Sequence, residues 1–312
     1  MLHCSKLSEV RTMPRLSRTI ALVASAAVIA GGAYAAWRYF GGTGGPAPTH
    51  ADLAYADVSA RNVLDIYLPE GAGPFPFVID IHGGAFRMGD KAGEPVAQEI
   101  LNAGIAVVRP NYRYSTDAVW PAQGEDLMAA MGWLAANGEE HGLDPARVAL
   151  WGQSAGGFLA VSTALSLVEA GTPPRAVVDF YGPMDFARMD EDMTALGRTA
   201  AMGTADGAES AESVLLGYAV GENRAAATAM GPVGRLAAVG SVDLPPIMIR
   251  HGDADTFIAH LQSERLRDAW VAADPEAVVD FALVPGAGHG GGDFDTDVVV
   301  APLVAFLAEN LR

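Results

Sequence analysis

Thiols are nearly missing from this chain: its 312 residues hold one cysteine, Cys4. A disulfide framework within the chain is therefore excluded. Cys4 lies upstream of the first apolar segment rather than directly after it, so it does not read as a lipid-attachment site. Basic residues are scarce as well. Twenty Lys and Arg face 37 Asp and Glu, for a formal charge of −17. That deficit speaks against a simple nucleic-acid role, which needs clustered Lys and Arg. It also speaks against docking on anionic lipid through a basic face, and it says little about fold. No repeat of fixed period is present. What remains is abundant in apolar residues (50%) and glycine, which fits a globular α/β protein with a large core, as one domain or two smaller ones.

The longest apolar run is at the N-terminus. Lys6, Arg11, Arg15 and Arg18 precede an uncharged stretch from Ile20 to Trp37. A basic segment followed by an apolar one is the pattern of an export signal. Ala33-Tyr34-Ala35 offers a small-x-small cleavage site, yet the run is also just long enough to span a bilayer. Residues 1–40 are thus expected to be a cleaved export signal or a retained membrane anchor, with Arg38, Tyr39 and Phe40 favouring the anchor. Met13 is a second candidate start, opening a compact basic segment. The expected location is exported or membrane-anchored. Residues 41–49, rich in Gly and Pro, read as a flexible linker. The folded domain is expected over 50–312.

Within that domain, apolar strand-like runs alternate with helix-like segments. The strands are expected at Val63–Leu68, Phe77–Ile81, Ile105–Arg109, Val148–Trp151, Val177–Tyr181, Ile247–Arg250 and Val278–Val284. Helices are expected over 94–103, Gln123–Asn137, after Ser154, and over Val298–Leu311. This alternation predicts a mostly parallel sheet covered on both faces. Sites in such sheets form at the carboxyl ends of the strands, and the polar motifs fall there.

The most informative stretch is Gly152-Gln153-Ser154-Ala155-Gly156, between an apolar strand and an apolar helix. Strand, glycine-flanked serine and helix form the context of a nucleophile elbow. A serine hydroxyl needs a base to take its proton and an acid to orient that base. Of seven histidines, His289 alone lies on a glycine-rich loop after the last strand, where it can approach the elbow. His82 and His251 each end a strand before a glycine, and read as turn braces. The acid is expected after a late strand, in His251-Gly252-Asp253-Ala254-Asp255. Asp255, further into the loop, is favoured and Asp253 is the alternative, although either aspartate also suits a helix N-cap. Oxyanion donors are expected from the backbone of Gly83 and Gly84 in His82-Gly-Gly-Ala-Phe86, together with Ala155.

These motifs, in this order, resemble the α/β-hydrolase superfamily. Within it the chain is similar to carboxylesterase/lipase-like enzymes, with closest likeness to feruloyl-esterase-like and hormone-sensitive-lipase-like bacterial esterases. The likeness runs from Leu64-Asp-Ile-Tyr-Leu-Pro69 to Gly286–Gly290, covering nearly the whole domain after the linker. It implies an α/β-hydrolase fold with a small cap insertion, placed at about 184–244. It also implies Ser154 as nucleophile, His289 as base, Asp255 as acid, and Gly83, Gly84 and Ala155 as oxyanion donors. Ala85 stands where many relatives carry a third glycine, and Gln153 where the lipase-like branch has Asp. Both depart from that branch. Five of the eleven methionines fall in the cap region and either line a substrate wall or fill helix packing. The expected activity is carboxylic ester hydrolysis with no metal or organic cofactor, acting on a small-molecule ester. An amidase or arylformamidase-like activity and a non-catalytic binding protein are the alternatives.

Overall fold

The computed structural model describes residues 45–93, 98–240 and 242–312. The export-signal or anchor segment, residues 1–40, lies outside the described residues, as do 41–44 of the linker. Among the described residues no helix is long and apolar enough to cross a membrane.

Eight strands form one sheet: β1 (His50–Ala54), β2 (Val63–Tyr67), β3 (Phe75–Ile81), β4 (Ala106–Pro110), β5 (Leu143–Gln153), β6 (Ala176–Phe180), β7 (Ile247–Gly252) and β8 (Val279–Val284). Their spatial order is β1-β2-β4-β3-β5-β6-β7-β8. β2 runs antiparallel to both β1 and β4, and every later pairing is parallel. β1 is an addition to the expected strands; its charged, half-exposed residues carry no apolar alternation to announce it. β4 runs one residue past the expected stop, into Pro110, which aligns with Leu64 at the end of the β2 ladder. Proline lacks the N–H, so it is tolerated at a strand end.

The central strands are nearly continuous apolar runs because both faces are covered. Successive residues point to opposite faces. Phe77, Ile79, Ile81, Leu150, Ile247 and Ile249 belong to one core. Val78, Ala149, Trp151, Val178 and Met248 belong to the other. The first core is closed by Leu127, Ala130 and Leu134 of α2 (Ala122–Asn137), by α3 (Ala155–Glu169) and by Leu266 and Trp270 of α8 (Leu261–Ala273). The second is closed by Ile100 and Leu101 of α1 (Gln98–Asn102) and by Leu303, Phe306 and Leu307 of α9 (Asp297–Asn310).

The region from Met184 to Leu244 carries no strand among the described residues. It holds short helices: α4 (Met189–Ala195), α5 (Ala211–Leu216), α6 (Arg224–Met230) and α7 (Pro232–Val239). Met184, Met189 and Met193 are buried there, so these three fill packing; Met202 is exposed. The insertion is tied to the sheet layer by a buried amide. Gln262 on α8 accepts from the backbone N–H groups of Met184 and Asp185, and donates to Asp192, which also pairs with Arg265.

The join between β5 and α3 packs backbone directly against backbone. A Cβ on Gly152 would sit 2.0 Å from the carbonyl oxygen of Gly156, and one on Gly156 would sit 1.9 Å from the carbonyl oxygen of Ile81. Neither contact is with a side chain that could swing away. Gly156→Ala must therefore push α3 off β3. Its expected cost is near or above the upper end of the roughly 1–3 kcal/mol seen for overpacking, read as a lower urea midpoint with unchanged slope.

Candidate active site

Ser154 follows β5 directly and has φ 55° and ψ −124°. This backbone conformation is costly for a residue with a Cβ, of order 1–3 kcal/mol. Its neighbours hold it: the Ser154 N–H donates to Phe180 O at 2.8 Å, and its carbonyl accepts from Gly157 and Phe158 in the first turn of α3. The half-buried side chain then projects off the carboxyl end of the sheet instead of into either core.

His289 reaches it from the loop after β8. Its Nε2 lies 2.9 Å from Ser154 Oγ, and its Nδ1 lies 2.6 Å from Asp255 Oδ2. The structure thus brings together the serine, the histidine and the favoured aspartate. Asp255 is fully buried. Burial by itself would raise its pKa, but hydrogen bonds from His251 and His289 outweigh it and hold the carboxyl well below the usual carboxylate range. An ionised Asp255 accepts from Nδ1–H, so Nε2 is left with a lone pair toward the serine hydroxyl.

Asp255 does not directly precede the next helix; a turn intervenes before α8 begins at Leu261. Neither aspartate caps α8, whose N-cap is His260; the two oxygens of Asp255 have separate partners instead. Oδ1 accepts from the N–H groups of Phe257 and Ile258, at 2.7 and 3.0 Å, while Oδ2 faces the histidines. Asp253 does something else. Its Oδ1 accepts from the Gly286 N–H at 2.7 Å and braces the histidine loop. From the insertion, Arg198 donates to the carbonyls of Asp253 and Asp255, fixing the acid loop from its other side.

The glycine turn after β3 lies against the serine. A Cβ on Gly83 would meet Ser154 Cβ at 3.3 Å and Gln153 O at 2.9 Å. Gly84 has φ +116° and its carbonyl accepts from the N–H groups of Arg87 and Met88, closing the turn. Ala155 opens α3, beside the serine. Ala85 adopts φ +51°, a left-handed conformation that explains why a glycine suits this position. His82 braces the turn as expected: its Nδ1 lies 2.7 Å from Gly83 O and its ring stacks on Tyr112. Burial lowers its pKa to about 4, so it is neutral at physiological pH.

Several contributors carry no sequence signal of their own. Phe257, an exposed aromatic, stacks face to face on His289 at 5.2 Å. Tyr181, at φ 46°, sets its ring edge to the same histidine at 4.9 Å, and its hydroxyl donates to Gln153 Oε1. His251 proves to be more than a turn brace. It is buried, with Nε2 3.3 Å from Asp255 Oδ2. Asp179, in β6, is buried too, and burial pushes its carboxyl up to about 8 against the hydrogen bond from the Gly182 N–H.

A folded-state carboxyl raised above its unfolded value binds a proton that the unfolded chain has released. Stability contributed by Asp179 is therefore present below about pH 4 and is lost as pH rises toward about 8. Asp179→Asn, which keeps both hydrogen-bonding faces of the protonated acid, is expected to gain stability relative to wild type over that window. Paired urea titrations at acid and alkaline pH check the slope.

Fold and site together define an α/β-hydrolase fold: a mostly parallel sheet, a serine on a strained turn at its carboxyl edge, and a histidine and aspartate delivered by later loops. The profile of the BD-FAE family matches residues 64–270, and the chain belongs to that family. Among curated relatives, the probable carboxylic ester hydrolase LipM of Mycobacterium tuberculosis is 28% identical over 252 residues, 76% of this chain and 55% of LipM. Esterase LipQ of the same organism is 26% identical, over 77% of this chain and 56% of LipQ. The chain thus spans about half the length of these relatives. A solved truncated carbohydrate esterase from gut microbiota superposes with TM-score 0.71 at 29% identity, over 86% of this chain and 99% of that one.

Proposed function

We propose that the chain hydrolyses carboxylic esters through an acyl-serine intermediate, with Ser154 as nucleophile, His289 as general base and acid, and Asp255 as the orienting acid. The observation that carries this reading is the line of two hydrogen bonds, Ser154 Oγ to His289 Nε2 and His289 Nδ1 to Asp255 Oδ2. The relatives named as esterases support the same reaction class.

The geometry supports the following steps. Ser154 Oγ attacks the ester carbonyl as its proton passes to His289 Nε2. The imidazolium that forms is stabilised by the Asp255 carboxylate, which does not itself take the proton. Charge builds on the carbonyl oxygen, beside the backbone of Gly83, Gly84 and Ala155. Donors there would act most strongly on this transient oxyanion. The imidazolium returns its proton to the leaving alcohol. Water then attacks the acyl-serine, losing a proton to His289, and the acid departs. The glycine turn and the helix start supply this environment without a metal or organic cofactor.

A small, neutral or apolar ester suits the site better than an anionic one, because the chain carries a large excess of carboxylates. The exposed Phe257 ring beside His289 supplies an apolar surface at the site. The test is labelling by a fluorophosphonate probe, together with hydrolysis of p-nitrophenyl acetate. A protein that does neither has no such activity. Matched ester and amide substrates separate an esterase from an amidase.

For residues 1–40 we propose an export or anchoring role, on the strength of the basic start and the apolar run after it. Fractionation of a producing cell, with N-terminal sequencing of the recovered protein, tests it. Recovery of uncleaved chain in the cytosolic fraction overturns it.

A further inference from the structure

The triad aspartate has a second histidine. We infer that His251 is a positioning residue for the reaction, held in one tautomer by Ser263 so that it donates a proton-bearing nitrogen to Asp255, and that Asp179 ends this buried chain as a neutral acid. The inference rests on the Ser154–His289–Asp255 reading and deepens it.

Hydrogen accounting gives the direction. His251 Nε2 lies 3.0 Å from Ile258 O and 3.3 Å from Asp255 Oδ2. Both are acceptors only, so Nε2 must carry the hydrogen and share it between them. His251 Nδ1 is then the accepting nitrogen, and Ser263 Oγ at 2.7 Å must donate to it. With its single hydrogen spent, Ser263 can only accept from anything else. Its hydroxyl lies beside the Asp179 carboxyl, whose Oδ1 accepts from the Gly182 N–H and whose Oδ2 receives no hydrogen bond. A carboxylate there would face another acceptor in a place closed to solvent. A protonated Asp179 can instead donate to Ser263. Asp179, Ser263, His251 and Asp255 are all 0% exposed, so each proton must be placed by these partners. The strong upward displacement of the Asp179 pKa by burial agrees with this placement.

The groups facing this chain are few. Asp255 and His289 lie at one end, and Asp179 at the other. The Tyr181 ring sits edge-on at 6.4 Å from His251. His260 and Arg198 lie further out, with Arg198 bonded to the Asp253 and Asp255 carbonyls. Among the described residues, only His251 and His289 share Asp255 Oδ2. The consequence is chemical. A second N–H on that oxygen spreads the carboxylate charge, so Asp255 holds the His289 proton less tightly.

The test is the pH dependence of kcat/KM for p-nitrophenyl acetate, whose acid limb follows protonation of His289. His251→Phe is expected to move that limb upward by about one pH unit, the order of shift a change in charge stabilisation produces. His251→Gln, which returns an N–H near the Nε2 position, is expected to restore most of it. Ser263→Ala frees the tautomer and is expected to move the limb the same way by a smaller amount; it carries the test if His251→Phe fails to fold. Asp179→Asn is expected to leave the limb in place, because a carboxamide donates as the protonated acid does. An acid limb that stays put, or moves down, in folded variants of His251 and Ser263 overturns the inference. A limb moved by Asp179→Asn overturns the neutral-acid assignment. Fluorophosphonate labelling separates the two levels: an unlabelled wild type defeats the triad reading, while a labelled one with an unmoved limb defeats only this inference.

Discussion

Ser154→Ala is expected to abolish fluorophosphonate labelling and to lower kcat for ester hydrolysis by about 10⁶-fold, with the fold intact. The size follows from the role. Without Oγ there is no covalent intermediate, and the His289 base has nothing to activate except water. Residual turnover of about 10³–10⁴ over the uncatalysed rate is still expected from the surrounding donors and from substrate binding. The φ of 55° at this position remains in the variant, because alanine keeps the Cβ. Stability should therefore change little: the loss is one hydrogen bond to His289, about 0.5–1.5 kcal/mol. A variant that keeps labelling would move the nucleophile elsewhere. Steady-state rates beside intact-mass measurement of the probe adduct read both outcomes.

Asp255→Asn is expected to cost about 10⁴ in kcat. The carboxamide preserves shape but offers an N–H₂ where His289 needs an acceptor. If the amide nitrogen faces the histidines, His289 must turn its tautomer, and Nε2 then carries a hydrogen toward Ser154 instead of a lone pair. The other oxygen of Asp255 sharpens the choice. It already accepts from Phe257 and Ile258 N–H groups, so the amide oxygen is drawn to that side and the nitrogen is forced toward His251 and His289. His251 loses an acceptor in the same step.

A stability effect accompanies this. Asp255 is held below the ordinary carboxylate range, so in wild type it contributes stability above the unfolded pKa, which is lost as pH falls through the folded value. In Asp255→Asn that contribution should vanish from the acid side of the stability profile. Acid titration of the two proteins by circular dichroism, beside kcat measured at neutral pH, checks the pair of effects.

Much of this site was legible before any coordinates. Ser154 announces itself because only glycine fits at Gly152 and Gly156, where backbone meets backbone; the constraint is written in residue identity. Asp255 and His289 are legible from chain order, and the sheet explains why: β7 and β8 are parallel neighbours, so their carboxyl-end loops must meet at one rim. The separate task of Asp253 could not be read. It depends on the Gly286 N–H, which is 33 residues away and has no sequence mark. His251 was legible as a histidine ending a strand, but its second acceptor is set by the turn between Asp255 and Ile258. β1 was missed because a half-exposed edge strand needs no apolar alternation. The methionines of the insertion were ambiguous because one residue type serves both packing and pocket walls; burial divides them.

Ser154 and His289 stand on ground of very different firmness. β5, β6 and α3 around Ser154 are sealed on both faces, whereas every residue of β8, which leads to the His289 loop, is only half-buried, at the sheet margin. Local opening draws on the least enclosed segments first. Warming should thus swing the base out of reach while the serine still sits on its turn. The proposed ester hydrolysis would fall silent below the melting temperature, with the central sheet still assembled, and would recover on cooling because the scaffold that receives the loop was never lost.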